Sequence, residues 1–174
     1  LTGMIRQHWE KESPEFLLFS YHGLPDRQLN KSGCDPQSCD RTRACVKKTP
    51  NLARCYRAQC FTTTAAIAET MLLCETQYQT AFQSRLGKAK WIEPYTDQVL
   101  THLRARGITR LMTVCPSFVS DCLETLEEIS GENKEIFLQS GGEQFHYIPC
   151  LNDDDLHIEM MAELVRSKQH NLPA

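Results

Sequence analysis

The chain has 174 residues, 41% apolar and 24% charged, with a net charge of -3. These values suit one soluble globular domain with a sizeable core, and the small net charge argues against a nucleic-acid partner. No apolar run reaches the roughly 18 residues of a membrane span and no charged-then-apolar leader is read, so the location expected is cytoplasmic, with peripheral contact at the inner membrane left open.

The chain begins at Leu1 rather than Met and enters at once on Thr2-Gly3-Met4-Ile5-Arg6. Residues 1–14 read as the end of a preceding element and a linker, which makes the chain an expected fragment. After Ser13-Pro14 the run Phe16-Leu17-Leu18-Phe19-Ser20-Tyr21 predicts a buried strand, and it ends in His22-Gly23-Leu24-Pro25. In an open α/β sheet ligands bind beyond the carboxyl ends of strands. His22 therefore stands where either a structural hydrogen bond or chemistry is placed.

Residues 24–51 are rich in turn formers and too long for an ordinary connection, so the insertion at about 26–55 needs an organiser. From Asp26 to Arg57 there are eight basic residues against three acids, and five of the nine cysteines fall between Cys34 and Cys60. Cys34, Cys39, Cys45 and Cys55 supply four thiolates, the number that an iron-sulfur cluster or a structural zinc takes; unliganded thiols are the third reading. Cys74, Cys115, Cys122 and Cys150 read as plain core residues.

A helix is predicted from about Leu52 to Cys74, with Ile67, Met71 and Cys74 on one apolar line. A strand follows at Tyr78–Ser84, leading into Gln83-Ser84-Arg85, then a surface turn with Trp91 and Pro94. Next come a helix at Thr96–Arg106, a strand at Ile108–Val114 and a helix from an N-cap at Ser120 towards Gly141-Gly142. A strand at Phe145–Pro149 and a helix at Leu156–Arg166, capped by Asn152 or Asp153, complete the chain. Strand and helix alternate four times. That rhythm predicts a parallel sheet of about four strands with helices on both faces.

The helix after Ser120 separates two faces. At 100° per residue Leu126, Ile129, Ile136 and Phe137 fall about 220–320° from Leu123, whereas Glu124, Glu128 and Glu132 fall about 100–180° from it. The acidic line is either a solvated face or a carboxylate relay for protons or cations. A π form would bring residues spaced by four closer to one line, and Gly131 argues against carrying the line to Glu132.

Five stretches taken together carry a resemblance: Phe19-Ser20-Tyr21-His22-Gly23-Leu24-Pro25; Phe82-Gln83-Ser84-Arg85; Trp91-Ile92-Glu93-Pro94-Tyr95-Thr96-Asp97; Pro116-Ser117-Phe118 with Asp121-Cys122-Leu123-Glu124; and Tyr147-Ile148-Pro149-Cys150-Leu151-Asn152. In this order they resemble the C-terminal half of ferrochelatase. The resemblance implies a Rossmann-like, chelatase-like α/β domain over 15–170, one of two similar halves, and the insertion of ferrous iron, as substrate, into protoporphyrin IX to form protohaem.

It further implies that His22 is a metal ligand or acceptor of pyrrole protons, that Glu124 is the essential acid, and that Glu128 and Glu132 form a proton or metal path. Tyr56, Gln83, Ser84, Arg85 and Trp91 fall on the porphyrin pocket. Some family members carry a 2Fe-2S cluster, which favours that group over structural zinc at Cys34, Cys39, Cys45 and Cys55. The family's N-terminal half, the opposite wall of the cleft, is absent, so the chain alone is expected to be nearly inactive. The alternatives are a coproporphyrin, cobalt or nickel chelatase, or an iron-sulfur binding module on the same fold. Removing two pyrrole protons and admitting a dication suits an imidazole and carboxylates.

Overall fold

A computed structural model describes residues 1–31 and 55–169. Its frame is a four-stranded sheet in the order β2-β1-β3-β4, every pair parallel. The strands are β1 Phe16–His22, β2 Tyr78–Gln83, β3 Arg110–Val114 and β4 Gln144–Tyr147. β1 occupies an inner position and is buried along its length except at His22. A strand covered on both faces needs a continuous apolar run, and Phe16 to Phe19 supplies it.

Alternate residues of β1 serve opposite layers. Phe16 and Leu18 join Leu111, Phe145, Leu100, Leu103, Ile129 and Phe137 on one face; Leu17, Phe19 and Tyr21 join Met112, Ile5, Cys60 and Ile67 on the other. The first face is covered by α4 Thr96–Ala105 and by a π-helix Glu124–Asn133 that continues as α5 Lys134–Gln139; the second is covered by α1 Thr2–Glu12 and α3 Tyr56–Thr70. Each fully buried Phe or Leu contributes roughly 1.5–3 kcal/mol relative to exposure. Glu15 pins the sheet's opening edge, its Oε2 accepting the backbone N–H of Thr109 at 2.7 Å and of Arg110 at 3.1 Å. Those two bonds hold its carboxyl below the ordinary value.

Several boundaries differ from the sequence expectation, each for a local reason. α3 begins at Tyr56 and stops at Thr70, because Leu72 turns left-handed at φ 58°. Of its predicted apolar line, Ile67 is buried, Met71 is half-buried and Cys74 is exposed. A short helix, α2 Asp26–Asn30, occupies the start of the insertion. The last helix, α6 Asp155–Gln169, is opened by Asp154, whose carboxylate accepts the His157 N–H at 3.1 Å, and not by Asn152 or Asp153.

The largest correction concerns the acidic helix. It starts at Glu124 rather than from a cap at Ser120 and it runs through Gly131, whereas the π form raised by the four-residue acid spacing is present over ten residues. An i→i+5 helix turns less per residue than an α-helix, so the 100° wheel misplaces its faces. Ile129 and Phe137 are buried as predicted, but Leu126 (51% exposed) and Ile136 (37%) of the same expected face lie on the surface.

Candidate functional site

The site gathers at the carboxyl ends of β1 and β2 and at the first turns of the π-helix, where an open parallel sheet places its ligands. His22 is half-buried at the end of β1. Its Nδ1 lies 2.6 Å from the carbonyl oxygen of Gly23. A carbonyl can only accept, so Nδ1 carries the hydrogen and Nε2 of the neutral ring keeps its lone pair. The ring is flanked by Trp91 and Phe118, with centroids at 6.4 and 6.0 Å. The Tyr56 hydroxyl donates to the His22 carbonyl at 2.8 Å, and the His22 N–H approaches Ser117 Oγ at 3.4 Å.

Gly23 is required by close approach: a Cβ there would meet the Gln83 carbonyl at 2.9 Å and the Trp91 ring at 3.2 Å. That contact lets the chain after β1 pass across the end of β2, joined by Gly23 N–H to Gln83 O at 2.8 Å. Trp91 is held from both sides, by a bridge to Pro25 and by its indole N–H on the Leu86 carbonyl at 3.1 Å.

Gln83 faces inward more than pocketward. It is 2% exposed, its Oε1 accepts the Ser20 hydroxyl at 2.7 Å, and its Nε2 donates to the Glu124 backbone carbonyl at 2.6 Å. One buried amide thus ties the end of β2 to the first residue of the π-helix. Ser84, at φ 65°, gives its N–H and hydroxyl to the two oxygens of Glu128 at 2.7 and 2.6 Å. Arg85 pairs with Asp97 and lies over the Tyr95 ring at 4.0 Å.

Glu124 is partly exposed, and its carboxyl is held below the ordinary value by a hydrogen bond with Cys122 and by its own backbone, with a smaller lowering by His22 whenever that ring is in its protonated form. His22 and Glu124 are therefore electrostatic neighbours. A cleft of about 190 Å³ lies further along the π-helix, lined by Ser84, Arg85, Asp97, Glu128, Glu132 and Asn133 among others and by neither His22 nor Glu124. The expected acidic line therefore borders a cavity from Glu128 to Glu132. Asn133 Nδ2 donates to the Glu128 carbonyl at 2.7 Å, five residues back, so a side chain supports the π spacing.

Asp121 was in the sequence motif without an assigned role, and it proves to be the anchor of the helix entry. Its carboxylate accepts from the Tyr147 hydroxyl (2.6 Å), the Asn152 amide (2.8 Å), the Thr125 hydroxyl (3.1 Å) and the Cys150 N–H (3.2 Å). The i,i+4 spacing of Asp121 and Thr125 was the available signal. Ser117 and Phe118 also stand beside His22, and nothing local in the sequence assigns them that place.

Of the four clustered cysteines, Cys34, Cys39 and Cys45 lie outside the described residues. Cys55 is buried at the start of α3. Among the described residues no three His, Cys, Asp or Glu side chains come together to hold a metal. Cys60 is a core thiol, pushed up to about 12 by burial, and burial likewise raises Cys115 and Cys150. Cys74 departs from the core reading in being exposed, and Cys122 is half-buried.

The family described as Ferrochelatase matches residues 1–169. The chain is 46% identical over 169 residues to a ferrochelatase of Vibrio parahaemolyticus, covering 97% of this chain and 46% of that protein. It is 46% identical over 166 residues to one of Coxiella burnetii (95% and 47%), and 47% identical over 159 residues to one of Legionella pneumophila (87% and 45%). The chain spans about half the length of these curated relatives. Among solved structures, a putative cobalamin biosynthesis CbiX protein from Marinobacter aquaeolei is similar at a TM-score of 0.49 and 12% identity, over 91% of this chain and 100% of that one. With the family match running almost end to end and identities near one half, the chain belongs to the ferrochelatase family.

Proposed function

We propose that this chain forms one wall of an enzyme that inserts ferrous iron into protoporphyrin IX to give protohaem, with His22 and Glu124 performing the chemistry. The observation that carries the reading is the tautomer of His22: Nδ1 is committed to the Gly23 carbonyl, which frees Nε2 as a base beside an anionic Glu124. Metallation releases two pyrrole protons and takes up a dication. A bare imidazole nitrogen accepts a proton, and a carboxylate held in its charged form attracts the incoming ion. Trp91 and Phe118 beside His22, and exposed Leu123 and Val119, suit the flat apolar face of a macrocycle.

The outward path runs along the cleft bordered by Glu128 and Glu132, whose negative charges draw a cation. Tyr56, Gln83, Ser84 and Arg85 support the pocket edge, Gln83 and Ser84 through the π-helix. The half of the relatives' length that this chain does not span supplies the opposite wall, and the chain alone is nearly inactive. A cytoplasmic place with contact at the inner membrane belongs to the same proposal; no described helix is long and apolar enough to cross a membrane.

Cys34, Cys39, Cys45 and Cys55 would hold a 2Fe-2S cluster, whose negative charge the surrounding Arg and Lys residues offset; structural zinc is the alternative. That assignment rests on the number of thiols and the family, and no step of the reaction passes through it.

The test is iron insertion by the chain joined to its other half. His22→Ala and Glu124→Gln should each remove most of the turnover with the fold retained. Wild-type turnover in either variant refutes the reading.

A further inference from the structure

The three glutamates of the acidic line, Glu124, Glu128 and Glu132, do not form one series. Glu124 is partly exposed, and its backbone carbonyl is taken by Gln83. Glu132 is exposed at the far end. Glu128, between them, is half-buried and engaged at every polar end: Oε1 accepts the Ser84 N–H at 2.7 Å, Oε2 accepts the Ser84 hydroxyl at 2.6 Å, and its carbonyl accepts Asn133 Nδ2 at 2.7 Å. Ser84 aims both donors at one carboxylate because its backbone is left-handed, at φ 65°. A side chain that ferries protons has to turn between donor and acceptor. One gripped on both oxygens by a single residue stays where it is.

We propose that Glu128 is a positioning residue: the Ser84–Glu128–Asn133 clasp ties the middle of the π-helix to the end of β2 and, with the Gln83–Glu124 bond, sets Glu124 beside His22. Glu128 contributes no mobile proton. A widened helix is the least regular part of the frame, and a small misplacement of a reacting group costs rate steeply. Two ties from adjacent residues of one strand end, Gln83 and Ser84, reach the helix four residues apart, at Glu124 and Glu128. They fix both its position and its rotation.

The inference rests on His22 and Glu124 forming a metallation site, and the test separates the two. Iron insertion is measured with the chain joined to its other half, for wild type, Glu128→Gln, Glu128→Ala, Ser84→Ala and a His22→Ala control, across pH and at saturating iron and porphyrin. Glutamine keeps an oxygen for the Ser84 N–H and an amide N–H for its hydroxyl, but cannot carry a proton as a carboxylate does. The tether predicts that Glu128→Gln keeps at least about a third of wild-type kcat with the limbs of its pH profile in place, and that Glu128→Ala loses about tenfold or more.

Equal losses in Glu128→Gln and Glu128→Ala with a displaced pH limb would make Glu128 a carrier and overturn the proposal. A wild-type rate in Glu128→Ala would also overturn it. Should Glu128→Ala fail to fold, the remaining pair decides: a tether makes Ser84→Ala the more damaging, a carrier makes Glu128→Gln so. Turnover surviving in His22→Ala would instead defeat the metallation reading.

Discussion

Replacing Asp121 by alanine tests how the site is held. The carboxylate receives four donors, two of which belong to buried residues, Thr125 and Cys150; the others come from half-buried Tyr147 and Asn152. A buried donor left without an acceptor costs roughly 1–3 kcal/mol. The Thr125 hydroxyl has a second acceptor in the Cys122 carbonyl at 3.1 Å, and the half-buried groups can turn to water, so the sum is well below four full penalties. A loss of about 3 kcal/mol is expected, which for a domain of this size lowers the melting temperature by roughly 6–12 °C. Asp121→Asn keeps one acceptor oxygen and should lose about half as much.

Thermal and urea unfolding followed by circular dichroism at neutral pH measure both variants. The pH dependence has a definite sign: burial raises the Asp121 carboxyl, but the hydrogen bonds from Asn152, Tyr147 and Cys150 outweigh it and hold the value below normal. Its stabilisation is therefore present above the unfolded value and is lost as pH falls through the lowered folded value. Asp121→Ala should lose that part of the acid sensitivity. A destabilisation under about 0.5 kcal/mol would refute the reasoning, since it would place Asp121 among ordinary surface substitutions.

Two further outcomes follow from other parts of the molecule. His146 lies 2.8 Å from His8, ring nitrogen to ring nitrogen, and burial holds it below its ordinary value, helped by the charges of His8, Lys11 and Lys134 and opposed by Glu12; its contribution is full above about pH 6.5 and is lost as pH falls from there towards the lowered folded value, so His146→Gln should flatten the melting temperature between about pH 7.5 and 5.5. For the cysteines, anaerobically purified protein should be coloured and show a 2Fe-2S EPR signal on reduction that disappears in Cys39→Ser; a colourless protein carrying one zinc per chain would contradict the iron-sulfur assignment.

The sheet was legible because its strands are short apolar runs closed by turn residues. Phe16 to Tyr21 could be little else, and its neighbours at Tyr78, Leu111 and Phe145 share the pattern. His22 stands out in the sequence for the same reason, as the polar residue that closes a buried strand. The faces of the acidic helix were not: a wheel assumes one angle per residue, and Leu126 and Ile136 fall outside the core because the π stretch changes that angle. The roles of Asp121, Gln83 and Ser84 were hidden for a different reason. Apart from the Asp121–Thr125 contact at i,i+4, they act through bonds to residues about 25 to 65 positions away, a separation at which local periodicity carries no information.

The central claim is that His22 and Glu124 form one reacting site, and a double-mutant cycle on iron insertion tests it most directly. With the chain joined to its other half, the rate of His22→Ala combined with Glu124→Gln should fall little below that of the worse single variant, because two groups serving one step are not lost independently. Losses that multiply in full would show the two residues acting in separate places and would contradict the account.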